Sequence, residues 1–359
     1  MKALVLGGYG AVGAHIVSDL RAHGDTAYAA GRDPARADRV LDLDAGPDGG
    51  YRAALDGIDV VVNSAGAEDP RLVTAAAEHG CAFVDITATT SYVNEVEQLA
   101  PAAPVVLSVG LAPGLTTLLA KAVHSAAPGP VDIAVVLGAG ERHGPAATAW
   151  TYRLLGRRFP DTHSGPPVRN FTHPDRFDLP GLGRRRLYRA DFSDQHTLTR
   201  DLGSPVRTYL GLDSRAATTA LALLTHLRGA SRTPQGLHLP GSDRWLVLAQ
   251  GRDGHTRWAE GRSQSRASAA LTVLATRAAA GLAPGVHHLP DILTLDDVPQ
   301  SDELGLSDGG DAAGQGSGLM RSGHLRLRWS PAAPRRGEHE RSASAISAST
   351  CCSLSTKRA

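Results

Sequence analysis

The sequence has little cysteine: Cys81 and the adjacent Cys351 and Cys352 are the only three in 359 residues. Three such thiols make no disulfide framework and lack the spacing of a thiolate metal site, so a reducing cytoplasmic location is expected. Long apolar runs are missing too. Nothing approaches the roughly 18 consecutive apolar residues of a membrane span. The first residues enter an apolar strand after one lysine, without the charged and apolar regions of a signal peptide. Net charge is only +1, so no long-range field draws the chain to nucleic acid or an anionic membrane, and neither is expected as a partner. Lysine occurs three times, at Lys2, Lys121 and Lys357, an arginine bias that says little about function. His163, His173, His196, His287 and His288 show no HxxxH or cysteine pairing, so no metal site is expected. A GxSxG elbow is also absent, which disfavours hydrolytic chemistry.

What the chain does contain is enough apolar residue, 42%, for two domains. From residue 2 to about 126, short apolar runs near 2–6, 26–30, 39–43, 58–62, 82–86 and 104–109 alternate with segments of helical periodicity. That pattern predicts an α/β fold, a Rossmann-like doubly wound parallel sheet. Val12, Ile16, Val17 and Leu20 form one face of a first helix closed by Gly24. Asp69 and Pro70 open a second, which stops at Gly80. A further helix follows Pro113 and Gly114. From Val131 the pattern is α+β, with strands near 131–138, 206–211, 244–250 and 255–259 and helices near 146–156, 214–229 and 263–281. The stretch 160–202, rich in Pro, Arg and His, reads as a long loop region beside a site. The expected organisation is a dinucleotide-binding Rossmann domain at 1–128 and a second α+β domain for substrate or dimerisation at 129–282. A segment at 283–300 returns to the first domain, and 301–359 is a disordered tail.

Gly8, Gly10 and Gly13 form GxGxxG directly between an apolar strand and an amphipathic helix, the context that marks a dinucleotide site. Gly8 allows the tight turn, Gly10 lets backbone approach the pyrophosphate, and Gly13 lets helix pack on strand. Tyr9, Ala11 and Val12 complete the loop. NAD-preferring domains end the second strand in an acidic residue. Here Gly31-Arg32 stands there, with Arg32 placed to pair with the 2′-phosphate of NADP and Gly31 leaving room for it. The competing reading makes Arg32 a solvated loop residue and gives Asp33 the acidic role. Asp42 and Asp44 alternate with leucines on the third strand, within reach of the adenosine half. At the carboxyl edge, Asn63, Ser64 and Ala65 follow strand four and Asp85 and Thr87 close strand five, where ligands of such folds sit. Each of these also fits a plain turn residue satisfying backbone.

Gly7–Gly13, Gly31-Arg32, Asp59–Gly66, Gly80–Asp85, Gly110–Leu115, Gly261–Ala270 and Gly285–Pro290 together resemble the saccharopine dehydrogenase-like reductases, over about residues 1–295. The resemblance implies NADP-linked oxidation or reduction at a carbon bearing nitrogen, and a C-terminal segment at 283–295 packed on the cofactor domain. No substrate motif between Gly140 and Pro205 matches the family, so the substrate stays open among small imines, amino acids and carbonyl compounds. Hydride transfer is the cofactor's chemistry, and the protein need supply only position and one proton. His143, in a loop after a strand, is the candidate proton donor, and Tyr152 and Arg153 on the next helix could line a pocket. The expected partner is a small-molecule substrate, and a homodimer is allowed. A non-catalytic redox sensor that binds NADP is the alternative function.

Overall fold

The structure is a computed structural model that describes residues 1–141, 145–162, 165–227, 229, 241–301 and 304–309. In chain order its first elements are β1 (Lys2–Leu6), α1 (Gly13–Ala22), β2 (Thr26–Gly31), β3 (Arg39–Val40), α2 (Arg52–Ala54), β4 (Val60–Asn63), α3 (Pro70–Glu78), β5 (Ala82–Asp85), α4 (Thr90–Glu97), β6 (Pro104–Leu107) and α5 (Thr116–Ala126). There follow β7 (Val131–Leu137), α6 (Pro145–Leu154), β8 (Arg158–Phe159), β9 (Val168–Arg169), β10 (Thr172–Leu179), β11 (Gly183–Arg189), α7 (Ser193–Leu202) and β12 (Val206–Leu212). The remainder is α8 (Arg215–Leu224), β13 (Arg244–Gly251), β14 (Thr256–Arg262), α9 (Gln264–Ala279), β15 (Gly285–His288), α10 (Leu289–Ile292) and β16 (Leu304–Gly309).

Seven strands form a parallel sheet in the order β15-β6-β5-β4-β1-β2-β3. Its strands read as unbroken apolar runs because helices cover both faces. On one face Ala3, Val5, Val60, Val62 and Val84 pack with Ile16, Val17 and Leu20 of α1 and with Leu271 and Ala275 of α9. On the other, Leu4, Leu6, Val61 and Phe83 meet Leu72, Val73 and Ala76 of α3 and Tyr92 and Val96 of α4. Each such fully buried aliphatic side chain contributes about 1.5–3 kcal/mol relative to exposure. The order reverses between β1 and β4, which opens a crevice at their carboxyl ends. There Leu6 pairs with Asn63 and Asn63 with Asp85, so two polar residues stand in one row across the sheet edge.

A second, mixed sheet runs β10-β11-β12-β7-β13-β14-β16. Leu118, Leu119 and Val123 of α5 share a core with its Ile133, Val135 and Val247, so the helix leaving the first sheet also supports the second. The chain comes back as β15, which pairs with β6 in parallel.

The structure departs from the sequence reading at several elements. The third strand ends at Val40 rather than 43, because Asp42 caps a short helical turn at Leu43–Ala45 by accepting from the Asp44 amide at 3.2 Å. Helix α4 was not expected; it buries only Tyr92, Val93 and Val96. The supposed loop at 160–202 contains the β10–β11 hairpin and α7. Phe177, Leu179 and Leu187 alternate with charged residues there. Leu304–Gly309, inside the stretch expected to be disordered, pairs with β14 because Leu304 finds a buried place; residues 310–359 lie outside the described residues.

Candidate functional site

The glycine loop is built by backbone contacts that tolerate no side chain. Gly7 has φ +71 and donates to Ala30 O at 2.9 Å, which ties the loop to the end of β2. A Cβ on Gly8 would lie 2.6 Å from Ala29 Cα, and one on Gly13 would overlap Gly7 O and stand 2.7 Å from Ser64 Oγ. Turn, strand and helix therefore close together only with hydrogen at these positions. No side chain caps the N-terminus of α1 and no acid stands in its first turn. The amides of Ala11, Val12 and Gly13 at its entry are thus left for an anion, those of Ala14 and His15 already donating to Gly10 O and Val12 O. These features fit the pyrophosphate of a dinucleotide.

At the β2 end, Tyr9 fills the space that the sequence reading reserved for a phosphate. Its ring lies where a Cβ of Gly31 would be, and its hydroxyl accepts from the Asp33 amide at 3.0 Å. The room at Gly31 is therefore Tyr9's. Arg32 is 74% exposed and meets Asp44, 85% exposed, at 3.4 Å, a contact worth little. Asp33 Oδ1 accepts from the Ala35 amide at 3.0 Å, closing its own turn. Asp42 is held by its cap at this same end.

The carboxyl edge carries a buried polar cluster. Asp85 accepts from Thr87 N at 2.7 Å, Tyr92 Oη at 2.8 Å and Asn63 Nδ2 at 2.9 Å. Burial raises its carboxyl pKa, although these bonds oppose the rise. Asn63 Nδ2 also reaches Ala67 O at 2.8 Å, while Asn63 Oδ1 and Thr87 Oγ1 are buried without a partner. Unsatisfied buried oxygens at a sheet edge call for a ligand to complete them. Ser64 Oγ is already committed, donating to Leu6 O at 2.7 Å. Ala65 packs against Gly7, where a Cβ would come within 2.9 Å of Ala65 Cα.

Elements before and after the second-sheet hairpin reach across to this edge. Glu68 Oε1 accepts from Thr89 Oγ1 at 2.7 Å and from Arg153 Nη2 of α6 at 2.8 Å. Asp191 Oδ1 accepts from Thr90 Oγ1 at 2.8 Å and lies 3.0 Å from His196 Nε2. Ser193 N donates to Ala88 O at 3.2 Å, and Trp150 packs on Phe192 with centroids 4.8 Å apart. The sequence offered Tyr152 and Arg153 as lining residues, and the structure pairs Arg153 with Glu68; Glu68, Asp191 and His196 were not singled out for this edge. Glu68 with Arg153 and Asp191 with Thr90 are distant in sequence, so no local spacing signals them. His143 lies outside the described residues. Among the described residues no group of His, Cys, Asp and Glu is placed to hold a metal ion, and no helix is long and apolar enough to cross a membrane.

No protein-family model and no curated protein matches the chain. Solved structures do. Saccharopine dehydrogenase (L-Glu forming) from Saccharomyces cerevisiae aligns over 83% of this chain and 96% of its own, at 14% identity and a TM-score of 0.55. Amine dehydrogenase from Mycobacterium smegmatis aligns over 84% and 98%, at 14% identity and a TM-score of 0.43. The chain thus has a saccharopine dehydrogenase-like fold, in which a Rossmann-like parallel sheet is joined to a second, mixed sheet.

Proposed function

We propose that this protein is an NADP-dependent oxidoreductase of the saccharopine dehydrogenase-like kind, acting on a small imine, amino acid or carbonyl compound held in the crevice. The observation that carries the reading is the pair of unpartnered buried oxygens, Asn63 Oδ1 and Thr87 Oγ1, at the carboxyl edge beside a glycine loop that excludes side chains. In this reading the loop at Gly8–Gly13, with the amides of Ala11, Val12 and Gly13 at the start of α1, holds the pyrophosphate. Arg32 meets the 2′-phosphate, while Asp33 uses its Oδ1 to close its own turn. Asn63 and Thr87 bind polar groups of the nicotinamide half, and Asp85 fixes both by accepting from them. The bound cofactor supplies or takes the hydride. The Trp150–Phe192 wall limits water, and His143 is the candidate proton donor.

The test is loss of NADPH absorbance on incubation with a panel of cyclic imines and of amine plus keto-acid pairs. Turnover of at least one member is expected. Silence across the panel with NADPH binding intact would overturn the enzymatic reading in favour of a sensor.

A further inference from the structure

Beyond Arg32, the loop after β2 carries a second guanidinium whose position is more closely fixed. Arg36 stacks on the Tyr9 ring, its Cζ 4.5 Å from the centroid, and its Nη2 donates to Tyr9 O at 2.7 Å. Tyr9 is itself fixed: its ring occupies the space beside Gly31 and its hydroxyl accepts from the Asp33 amide. The nearby acids are engaged elsewhere. Asp33 Oδ1 caps its own turn, and Asp38 Oδ2 is taken by Arg21 at 2.7 Å and the Ala29 amide at 2.8 Å. Among the described residues Arg36 has no carboxylate partner.

An arginine without a carboxylate, anchored through one nitrogen and stacked on a ring, keeps its other N–H donors in a fixed fork for an oxyanion. Its anchor is the carbonyl of the residue between Gly8 and Gly10, so the fork stands at the mouth of the dinucleotide loop. Both arginines are exposed, but Arg32 has only its 3.4 Å contact with the exposed Asp44 to hold it and loses more rotamer freedom when it binds. We propose that Arg36, held by Tyr9, is the second cation of the site for the 2′-phosphate and that it contributes more than Arg32 to preference for the phosphorylated cofactor. This rests on the NADP reading above.

The experiment is fluorescence titration of NADPH and NADH, with 2′,5′-ADP and 5′-ADP as redox-silent probes, on the wild-type chain and on Arg36→Met, Arg36→Lys, Arg32→Met, Tyr9→Phe and Tyr9→Leu. Arg36→Met is expected to weaken NADPH and 2′,5′-ADP by on the order of 10-fold to 100-fold, as for loss of a charge-assisted hydrogen bond, leaving NADH and 5′-ADP within about 2-fold. Arg36→Lys should fall between, Arg32→Met should lose less than Arg36→Met, and added salt should shrink the difference. Tyr9→Phe keeps the platform and the preference, whereas Tyr9→Leu loses about 3-fold or more of the preference. NADH binding in each variant reports that the loop is still folded. Equal losses for both cofactors, or none, would overturn the proposal. A wild-type chain without preference for NADPH would instead overturn the NADP reading on which it stands.

Discussion

Glu97 ends α4 with two cationic or hydrogen-bearing partners from distant parts of the chain, and replacing it with glutamine tests what its charge contributes. Its Oε1 takes His288 Nε2 at 2.8 Å and Arg200 Nη2 at 3.0 Å, and its Oε2 takes Arg200 Nη1 at 2.7 Å. His288 in turn meets Ser108 Oγ through Nδ1 at 3.0 Å, so the chain of contacts joins α7, α4, β15 and the end of β6. Burial works against the Glu97 charge. The bonds and charges of His288 and Arg200 outweigh it and hold the carboxyl down at about 2, from an ordinary 4.5. A depressed pKa means that the folded state binds the proton less readily than the unfolded state. The stability is therefore present above the ordinary pKa and is lost as pH falls through 4.5 toward about 2. That interval is worth at most roughly 3 kcal/mol at neutral pH. Because Arg200 is 56% exposed, solvent screening brings the expected figure to about 1–2 kcal/mol. Urea unfolding of wild type and Glu97→Gln, followed by tryptophan fluorescence, should show a lower midpoint for the variant at neutral pH. By about pH 3 the deficit should shrink to less than half. A deficit of the same size at both pH values would refute an ionic origin and assign the loss to packing.

Gly13→Ala should cost about 1–3 kcal/mol through overpacking, since its Cβ meets the backbone oxygen of Gly7. NADPH titration should weaken with it, and thermal stability and affinity both at wild-type level would contradict the loop geometry. Asp85→Asn leaves three buried donors, from Asn63, Thr87 and Tyr92, competing for one carbonyl. Each donor left unpaired costs about 1–3 kcal/mol, and a melting temperature equal to wild type would refute the cluster's role. Phe192→Ala removes a buried ring packed on Trp150. It should destabilise by about 3–5 kcal/mol in chemical denaturation, and a loss below about 1 kcal/mol would mean that the contact is not part of the core.

The features legible in the sequence are those whose signal is local. The strands of the parallel sheet are apolar runs such as Val60–Asn63, buried on both faces, and Asp69 with Pro70 opens α3 as its cap chemistry predicts. Helix α7 gave no such signal because its buried face includes Ser193, Thr197 and the pair Asp194 and Gln195, the last two satisfied by polar partners rather than by apolar contact. Asp194 accepts from Thr116 at 2.8 Å and Thr208 at 2.9 Å, so a polar core replaces the hydrophobic stripe that periodicity detects. The crevice pairs are invisible for another reason. Arg153 and Glu68 are 85 residues apart and Thr90 and Asp191 are 101 apart, distances over which only topology brings side chains together.

Gly31 shows how a correct motif can still misplace its chemistry. Its lack of a side chain reads as space for a phosphate, and space is what the backbone leaves there. Tyr9 from the glycine loop occupies it and thereby becomes the support for Arg36. In this architecture discrimination between phosphorylated and unphosphorylated cofactor would come from how firmly a guanidinium is held at the loop rather than from an opening in the strand. Enlarging the space at Gly31 by Tyr9→Leu should then reduce the preference for NADPH. If vacancy at Gly31 were the determinant, the same substitution would increase it.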